Sequence, residues 1–310
     1  MKILITGGAG YLGSVLVGAL LRSGHKVTVV DNLLHRTHGL FQYCVEEHFD
    51  FVKGDARNET LIRDLVAKQD VVIPLAALVG MPACERDPQG TVSTNYEAIK
   101  LLNRLRSTDQ RIIYPCTNSG YGTKTGEVHC TEETPMEPIS LYGKTKVDAE
   151  KVLLDSPNVV TLRLATVFGV SGRMRLDLLV NDFTHRAVTD RSLLLYEAHF
   201  KRNYVHIQDV ARAFCHVMDN FEKMEGEPYN VGLDDANLSK LELAETIKKY
   251  VPELYIHMAD VGSDPDKRNY IVSNEKIGKT GFFAQHTIDK GIQELLKAYR
   301  MLPQTGLANA

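Results

Sequence analysis

Two kinds of segment alternate through the first 170 residues. Short runs rich in β-branched and apolar residues recur: KILIT (2–6), KVTVVD (26–31), FDFVKGD (49–55), DVVIPLAA (70–77), RIIYPCT (111–117) and NVVTLRLATVFG (158–169). Stretches with helical spacing lie between them, beginning with YLGSVLVGALLRSG, which Gly24 is placed to stop. The strand runs are apolar throughout rather than alternating, as expected where helices cover both faces of a sheet. Repeated strand–helix units predict an α/β fold built on a doubly wound parallel sheet.

The pattern loosens after residue 169. RMRLDLLVNDFTHRAVTD reads as a loop and helix, SLLLYE as a short strand, and RNYVHIQDVARAFCHVMDNF as a helix of core type. LSKLELAETIKKY has Ser239 and Glu242 at capping-box spacing, and TIDKGIQELLKAYR reads as a closing amphipathic helix. The expected organisation is a dinucleotide-binding domain over 1–169 and a smaller C-terminal α/β lobe over 170–310, with some later segments returning to the main sheet.

Composition narrows the classes. A net charge of −3 gives no footprint for nucleic acid or an anionic membrane, and no apolar run approaches the length of a membrane span. MKILITGGAG goes straight into a strand, which suggests no signal peptide. Five cysteines (Cys44, Cys84, Cys116, Cys130, Cys215) without CxxC spacing suggest reduced thiols in a cytoplasmic protein and no metal site.

ITGGAGYLG sets Gly7, Gly10 and Gly13 between the first strand and the first helix. Such a turn lets backbone N–H groups approach a pyrophosphate, and the helix N-terminus favours its charge; a plain tight turn is the alternative. Asp31 ends the second strand 18 residues past Gly13. A carboxylate there suits ribose hydroxyls and repels a 2′-phosphate, which favours NAD over NADP. His35 and Arg36 leave a secondary phosphate site open.

YGKTK places Tyr142 and Lys146 four apart, on one face of a helix. A phenol near pKa 10 is a poor base at neutral pH, and a neighbouring ammonium favours its ionised form. Tyr142 could then take the proton of a sugar hydroxyl, while Lys146 could also hold the nicotinamide ribose. A surface pair is the alternative reading.

The GxxGxxG spacing together with YGKTK resembles the extended short-chain dehydrogenase/reductase family, with a Rossmann-type fold. TGGAGYLG (including Tyr11 and Leu12), DN at Asp31–Asn32, GD ending at Asp55 before Ala56, LAA, Asn95, RNYVHIQDVARA and DPDKR carry the resemblance along nearly the whole chain. It implies that Asp55 contacts adenine, that Leu75, Ala76 and Ala77 line the nicotinamide side, and that Asn95 supports these loops. It implies Thr117 as the hydroxyl partner of Tyr142, with Ser119 as alternative donor. Arg202 and Arg268 match positions that hold a substrate diphosphate, and Asp266 is a weaker match for a ribose hydroxyl. Arg173, Arg175 and Asn181 are candidates in the loop and helix that close on the nucleotide. His185, His199 and His206 read as packing or surface residues.

CTNSGYG ends the fifth strand, where a doubly wound sheet binds its ligands. Relatives that eliminate water carry acids right after this threonine, whereas here Asn118 and Ser119 follow, and neither is a general acid at neutral pH. Glu132 and Glu133 read as solvated, and Cys116 as core. The expected activity is NAD-dependent oxidation of a nucleoside diphosphate sugar at carbon 4 without dehydration. The general pattern resembles UDP-glucose 4-epimerases, and IPLAALVG, TNSGYG, RMRLDLLVNDF and DPDKR look closer to the GDP-heptose 4-dehydrogenase group of capsule sugar pathways. An epimerase and a non-catalytic NAD-binding subunit are the alternatives. The resemblance also implies a homodimer through helices near 95–107 and 140–154.

Overall fold

The computed structural model of the chain describes residues 1–35, 37–124, 129–259, 262 and 268–301. Its centre is a seven-stranded sheet in the order Pro228–Val231, Val159–Leu164, Arg111–Thr117, Val71–Pro74, Lys2–Thr6, Lys26–Asp31, Phe49–Lys53, with all neighbours parallel. The inner strands are buried along nearly their whole length, which is why they read as unbroken apolar runs. Helix Gly13–Arg22 packs with helix Ile207–Asp219 on one face. Helix Leu141–Leu154 covers strands Arg111–Thr117 and Val159–Leu164 on the other.

Two readings need correction. The run 158–169 is not one strand: Val159–Leu164 belongs to the main sheet, and Thr166–Phe168 pairs in parallel with Lys201–His206 in a separate three-stranded sheet. The chain changes sheets at Ala165, whose N–H bonds Val231 of the main sheet. Residues 201–206 are accordingly a strand, and the helix starts only at Ile207, capped by the His206 side chain. The Ser239–Glu242 capping box forms in full, and Gly24 takes the left-handed conformation expected of a helix stop.

A second core, built around Phe168, Tyr204, Leu243 and Ile292, underlies the C-terminal segments. Pro228–Val231 returns from that part of the chain to the edge of the main sheet. Among the described residues, no helix is long and apolar enough to cross a membrane.

Candidate active site

A cleft of about 850 Å³ runs along the carboxyl ends of the parallel strands. Its floor is the glycine-rich turn. Gly7 has φ +72°, and a β-carbon on it would stand 2.5 Å from the Ala76 nitrogen. A β-carbon on Gly13 would stand 2.4 Å from the Gly8 carbonyl oxygen, so both glycines exist to let backbones meet. Gly10 differs: a β-carbon there would meet only the Gly7 carbonyl at 3.2 Å, and its backbone faces the cleft. That open approach, at the start of helix Gly13–Arg22, fits a dinucleotide pyrophosphate.

Asp31 closes the turn. Its Oδ2 accepts from Ala9 N–H at 3.0 Å and its Oδ1 from Leu33 N–H at 2.7 Å. Tyr11, Leu12, Asn32, Ala56, Leu75, Ala76 and Ala77 also line the cleft. Asp55 lines it too, but its carboxylate is held in a fork by Arg57 (2.6 and 2.9 Å), whose hydrogen bond keeps it below the usual carboxylate range. Arg57, missed in the sequence, also reaches Ser93. Asn95 is buried outside the cleft, where its amide clamps Leu78 from both sides at 2.8 Å and steadies the loop after Ala77.

At the other end Thr117, Ser119, Tyr142 and Lys146 line one wall. Helix Leu141–Leu154, capped by Ser140, carries the tyrosine and lysine. Lys146 is buried with Nζ 4.0 Å from the centre of the Tyr114 ring, and burial pushes its pKa down to about 8. Burial pushes the Tyr142 phenol up to about 12. The cations that pull it back are Arg175 first and Arg268 second, where the sequence reading gave that part to Lys146. Thr117 Oγ1 donates to Ser119 Oγ at 2.9 Å and accepts from the Ser119 N–H, so the threonine caps its strand end as well as facing the cleft. Arg268 donates in turn to Ser119 Oγ.

Asn118 is buried, and neither polar atom of its amide has a partner among the described residues. Cys116 packs in the core, as expected. Glu132 is not a solvated residue: its Oε1 accepts from Asn230 N–H at 2.7 Å, fastening an edge strand away from the cleft. Arg173, Arg175, Arg202 and Arg268 all line the cleft, and Arg202 is buried beside the Tyr270 ring. Asn181 does not reach it. Its buried amide accepts from Gly169 N–H and donates to Arg175 C=O (2.9 Å) and to the Tyr11 hydroxyl (3.2 Å), a joint rather than a ligand contact. His206 is a buried packing residue paired with Glu294 at 2.9 Å. Arg36 and Asp266 lie outside the described residues.

Fold and cleft together define a Rossmann-type dinucleotide-dependent enzyme of the extended short-chain dehydrogenase/reductase kind, with NAD as cofactor. Residues 3–232 match the NAD dependent epimerase/dehydratase family, and the chain belongs to it. It is 29% identical to the low-salt glycan biosynthesis protein Agl12 of Haloferax volcanii, over 96% of this chain and 98% of that one. It is 28% identical to a dTDP-glucose 4,6-dehydratase of Streptomyces niveus, over 97% and 93%. Among solved structures it superposes on the UDP-glucuronic acid 4-epimerase of Bacillus cereus, in complex with UDP-glucuronic acid and NAD, with a TM-score of 0.85 and 25% identity over 97% and 99%.

Proposed function

We propose that the protein oxidises a nucleoside diphosphate sugar at carbon 4 without eliminating water. The observation that carries this reading is the hydroxyl pair Thr117–Ser119 lining the same cleft as Tyr142, with a buried Asn118 between the two hydroxyls where elimination calls for an acid. Among the described carboxylates lining the cleft, Asp31 and Asp55 serve the glycine-rich end, Asp87 caps a helix, and Asp177 is paired with Arg175. Asp182 stands in the first turn of helix Leu179–Thr189.

In this reading Tyr142 takes the proton of the 4-hydroxyl, Thr117 relays it, and Lys146 orients the reacting end of the cleft. When bound, NAD accepts the hydride from the same carbon. Gly7, Gly10, Gly13 and Asp31 would hold its dinucleotide end, and Leu75–Ala77 its nicotinamide side. A phenol near 12 is protonated at neutral pH, so the working complex must supply positive charge at Tyr142. Arg202 and Arg268 are assigned to the substrate diphosphate, which guanidinium forks match.

The finer form is a GDP-heptose 4-dehydrogenase, resting on the loop motifs TNSGYG, RMRLDLLVNDF and DPDKR. The second reading is a 4-epimerase, favoured by the likeness to the UDP-glucuronic acid 4-epimerase along the whole chain. A homodimer through helices Ala98–Leu105 and Leu141–Leu154 would join charged faces, since Lys100, Arg104, Lys144, Asp148 and Lys151 are their exposed positions. The test is incubation with UDP-, GDP-, dTDP- and CDP-sugars and excess NAD. Net NADH absorbance indicates a dehydrogenase, and an isobaric product without NADH an epimerase. Neither outcome with any sugar would overturn the proposal.

A further inference from the structure

The loop that follows strand Thr166–Phe168 carries Arg173, Arg175 and Asp177 into the cleft. Its root is tied to the glycine-rich turn through one residue, Tyr11. The Tyr11 hydroxyl donates to the Gly169 carbonyl at 2.7 Å and accepts from Asn181 Nδ2 at 3.2 Å. Asn181, on helix Leu179–Thr189, returns to the same glycine, because its Oδ1 accepts the Gly169 N–H at 3.1 Å. Tyr11, Gly169 and Asn181 thereby close a buried ring of hydrogen bonds, in which the phenol uses both its donor and its acceptor.

A second link runs through the backbone of the same tyrosine. Ser171 Oγ donates to the Tyr11 carbonyl at 2.7 Å, and Ser14 Oγ lies 2.7 Å from Ser171 Oγ. Between these points the Val170 N–H is taken by Glu294 at 3.0 Å. A β-carbon on Gly172 would stand 2.9 Å from the Gly39 α-carbon, so the loop has no slack on that side either. The joint also reaches the charged part of the loop. The Asn181 nitrogen that meets the phenol donates to the Arg175 carbonyl at 2.9 Å as well.

Phenylalanine would fill the same space in the turn and make neither phenolic bond. A loop that opens and closes is drawn from segments with few buried hydrogen bonds at their ends, whereas this root is held residue by residue. We propose that Tyr11 is a positioning residue shared by two sites: its ring and backbone belong to the cofactor turn, and its hydroxyl fixes the loop bearing Arg173 and Arg175, so that the sugar-nucleotide side of the cleft is built on the cofactor side instead of closing over it as a free lid. The sugar-nucleotide part of this statement rests on the proposed function.

The experiment compares Tyr11→Phe with the parent, both NAD-loaded, by amide hydrogen exchange and by calorimetric titration with UDP, GDP, dTDP and CDP. Tyr11→Phe leaves the buried Gly169 carbonyl without its donor and one Asn181 N–H without its acceptor. Amides of residues 169–175 should therefore exchange about fivefold faster or more. Helix Gly13–Arg22 should keep its protection, and NAD affinity should change less than about twofold, because the ring and the Tyr11 backbone remain. Affinity for the best-bound nucleoside diphosphate should fall about fivefold or more, and where turnover is measured the loss should appear in the KM of the sugar nucleotide and not in that of NAD. Ser171→Ala removes the second link without touching the phenol; it should act in the same direction and serves as second variant if Tyr11→Phe fails to fold. Unchanged exchange over 169–175, or equal loosening of helix Gly13–Arg22, overturns the proposal. So does a looser loop with unchanged nucleoside diphosphate affinity. Failure of all four nucleotides to bind the parent, with the exchange shift confined to 169–175, would count against the proposed reaction and leave the Tyr11 joint standing.

Discussion

Lys146 Nζ rests 4.0 Å from the centre of the Tyr114 ring, and both side chains are buried. The arrangement lets an ammonium remain inside the protein: burial drives its pKa down to about 8, and the electron-rich face of the ring opposes the loss of charge. Tyr114→Leu should lower it further and reduce kcat/KM at neutral pH about tenfold, the equivalent of the ~1–2 kcal/mol of a desolvated cation–π contact. Tyr114→Phe keeps the ring and should stay within about twofold of the parent. pH–rate profiles of the two variants check this.

The glycines of the turn should separate stability from cofactor binding. Gly7→Ala combines a left-handed backbone with a β-carbon 2.5 Å from Ala76, and should cost more than about 2 kcal/mol of stability. Gly10→Ala meets only one backbone oxygen at 3.2 Å, and should keep the fold within about 1 kcal/mol. It narrows the face offered to the pyrophosphate, so its NAD affinity should drop about tenfold or more. Thermal melts and NAD titrations of both variants decide the matter.

Asp31 should make the protein prefer NAD to NADP. Its two oxygens accept backbone N–H groups on either side of the cofactor cleft's rim, which holds the carboxylate where a 2′-phosphate would meet like charge. Calorimetric titration should give NAD an affinity at least about tenfold tighter. In Asp31→Ala the ratio should shrink and NAD binding itself weaken, because Ala9 and Leu33 lose their acceptor.

Asp209 is fully buried, and its carboxylate accepts the Gln285 and His286 N–H groups at 2.9 and 2.7 Å and Arg212 at 2.6 Å. Burial alone would raise its pKa, but the hydrogen bonds from His286 and Arg212 hold it below the usual range. A depressed folded-state pKa means the stabilisation is present above the unfolded value near 4 and is lost as pH falls through the folded value. Asp209→Asn should cost about 2–4 kcal/mol at neutral pH, and the difference should narrow in acid. Denaturant titrations at both pH values test the sign.

Much of this was legible along the chain because local rules and tertiary context agreed. Lys2–Thr6, Lys26–Asp31 and Arg111–Thr117 form where apolar runs and parallel-sheet burial coincide, and Ser239 and Glu242 cap their helix as their spacing requires. The break at Ala165 was not legible, since a run of apolar residues looks alike whether it stays in one sheet or crosses to another. Residues 202–206 read as helix because the following Ile207–Asp219 pattern is strong and the strand before it is short. Glu132 and Asn181 were misplaced because their partners, Asn230 and Tyr11, lie about a hundred residues or more away. Arg57 lies in no motif, and Asp177 sits inside RMRLDLLVNDF with nothing in the sequence to single it out; the folded cleft shows that they hold Asp55 and Arg175.

Elimination of water from a 4-keto sugar needs a proton donor at the leaving oxygen, and Asn118 and Ser119 stand where that donor would follow Thr117. Lacking it should slow elimination about 10²–10⁴-fold, the usual contribution of a general acid or base. The most direct measurement is mass spectrometry of the products formed from UDP-, GDP-, dTDP- and CDP-sugars in the presence of NAD, with Tyr142→Phe run in parallel. A product lighter by two hydrogens, or an isobaric epimer resolved by NMR, formed by the parent and absent with Tyr142→Phe, is the predicted result. Efficient loss of one water from any of these sugars would contradict it.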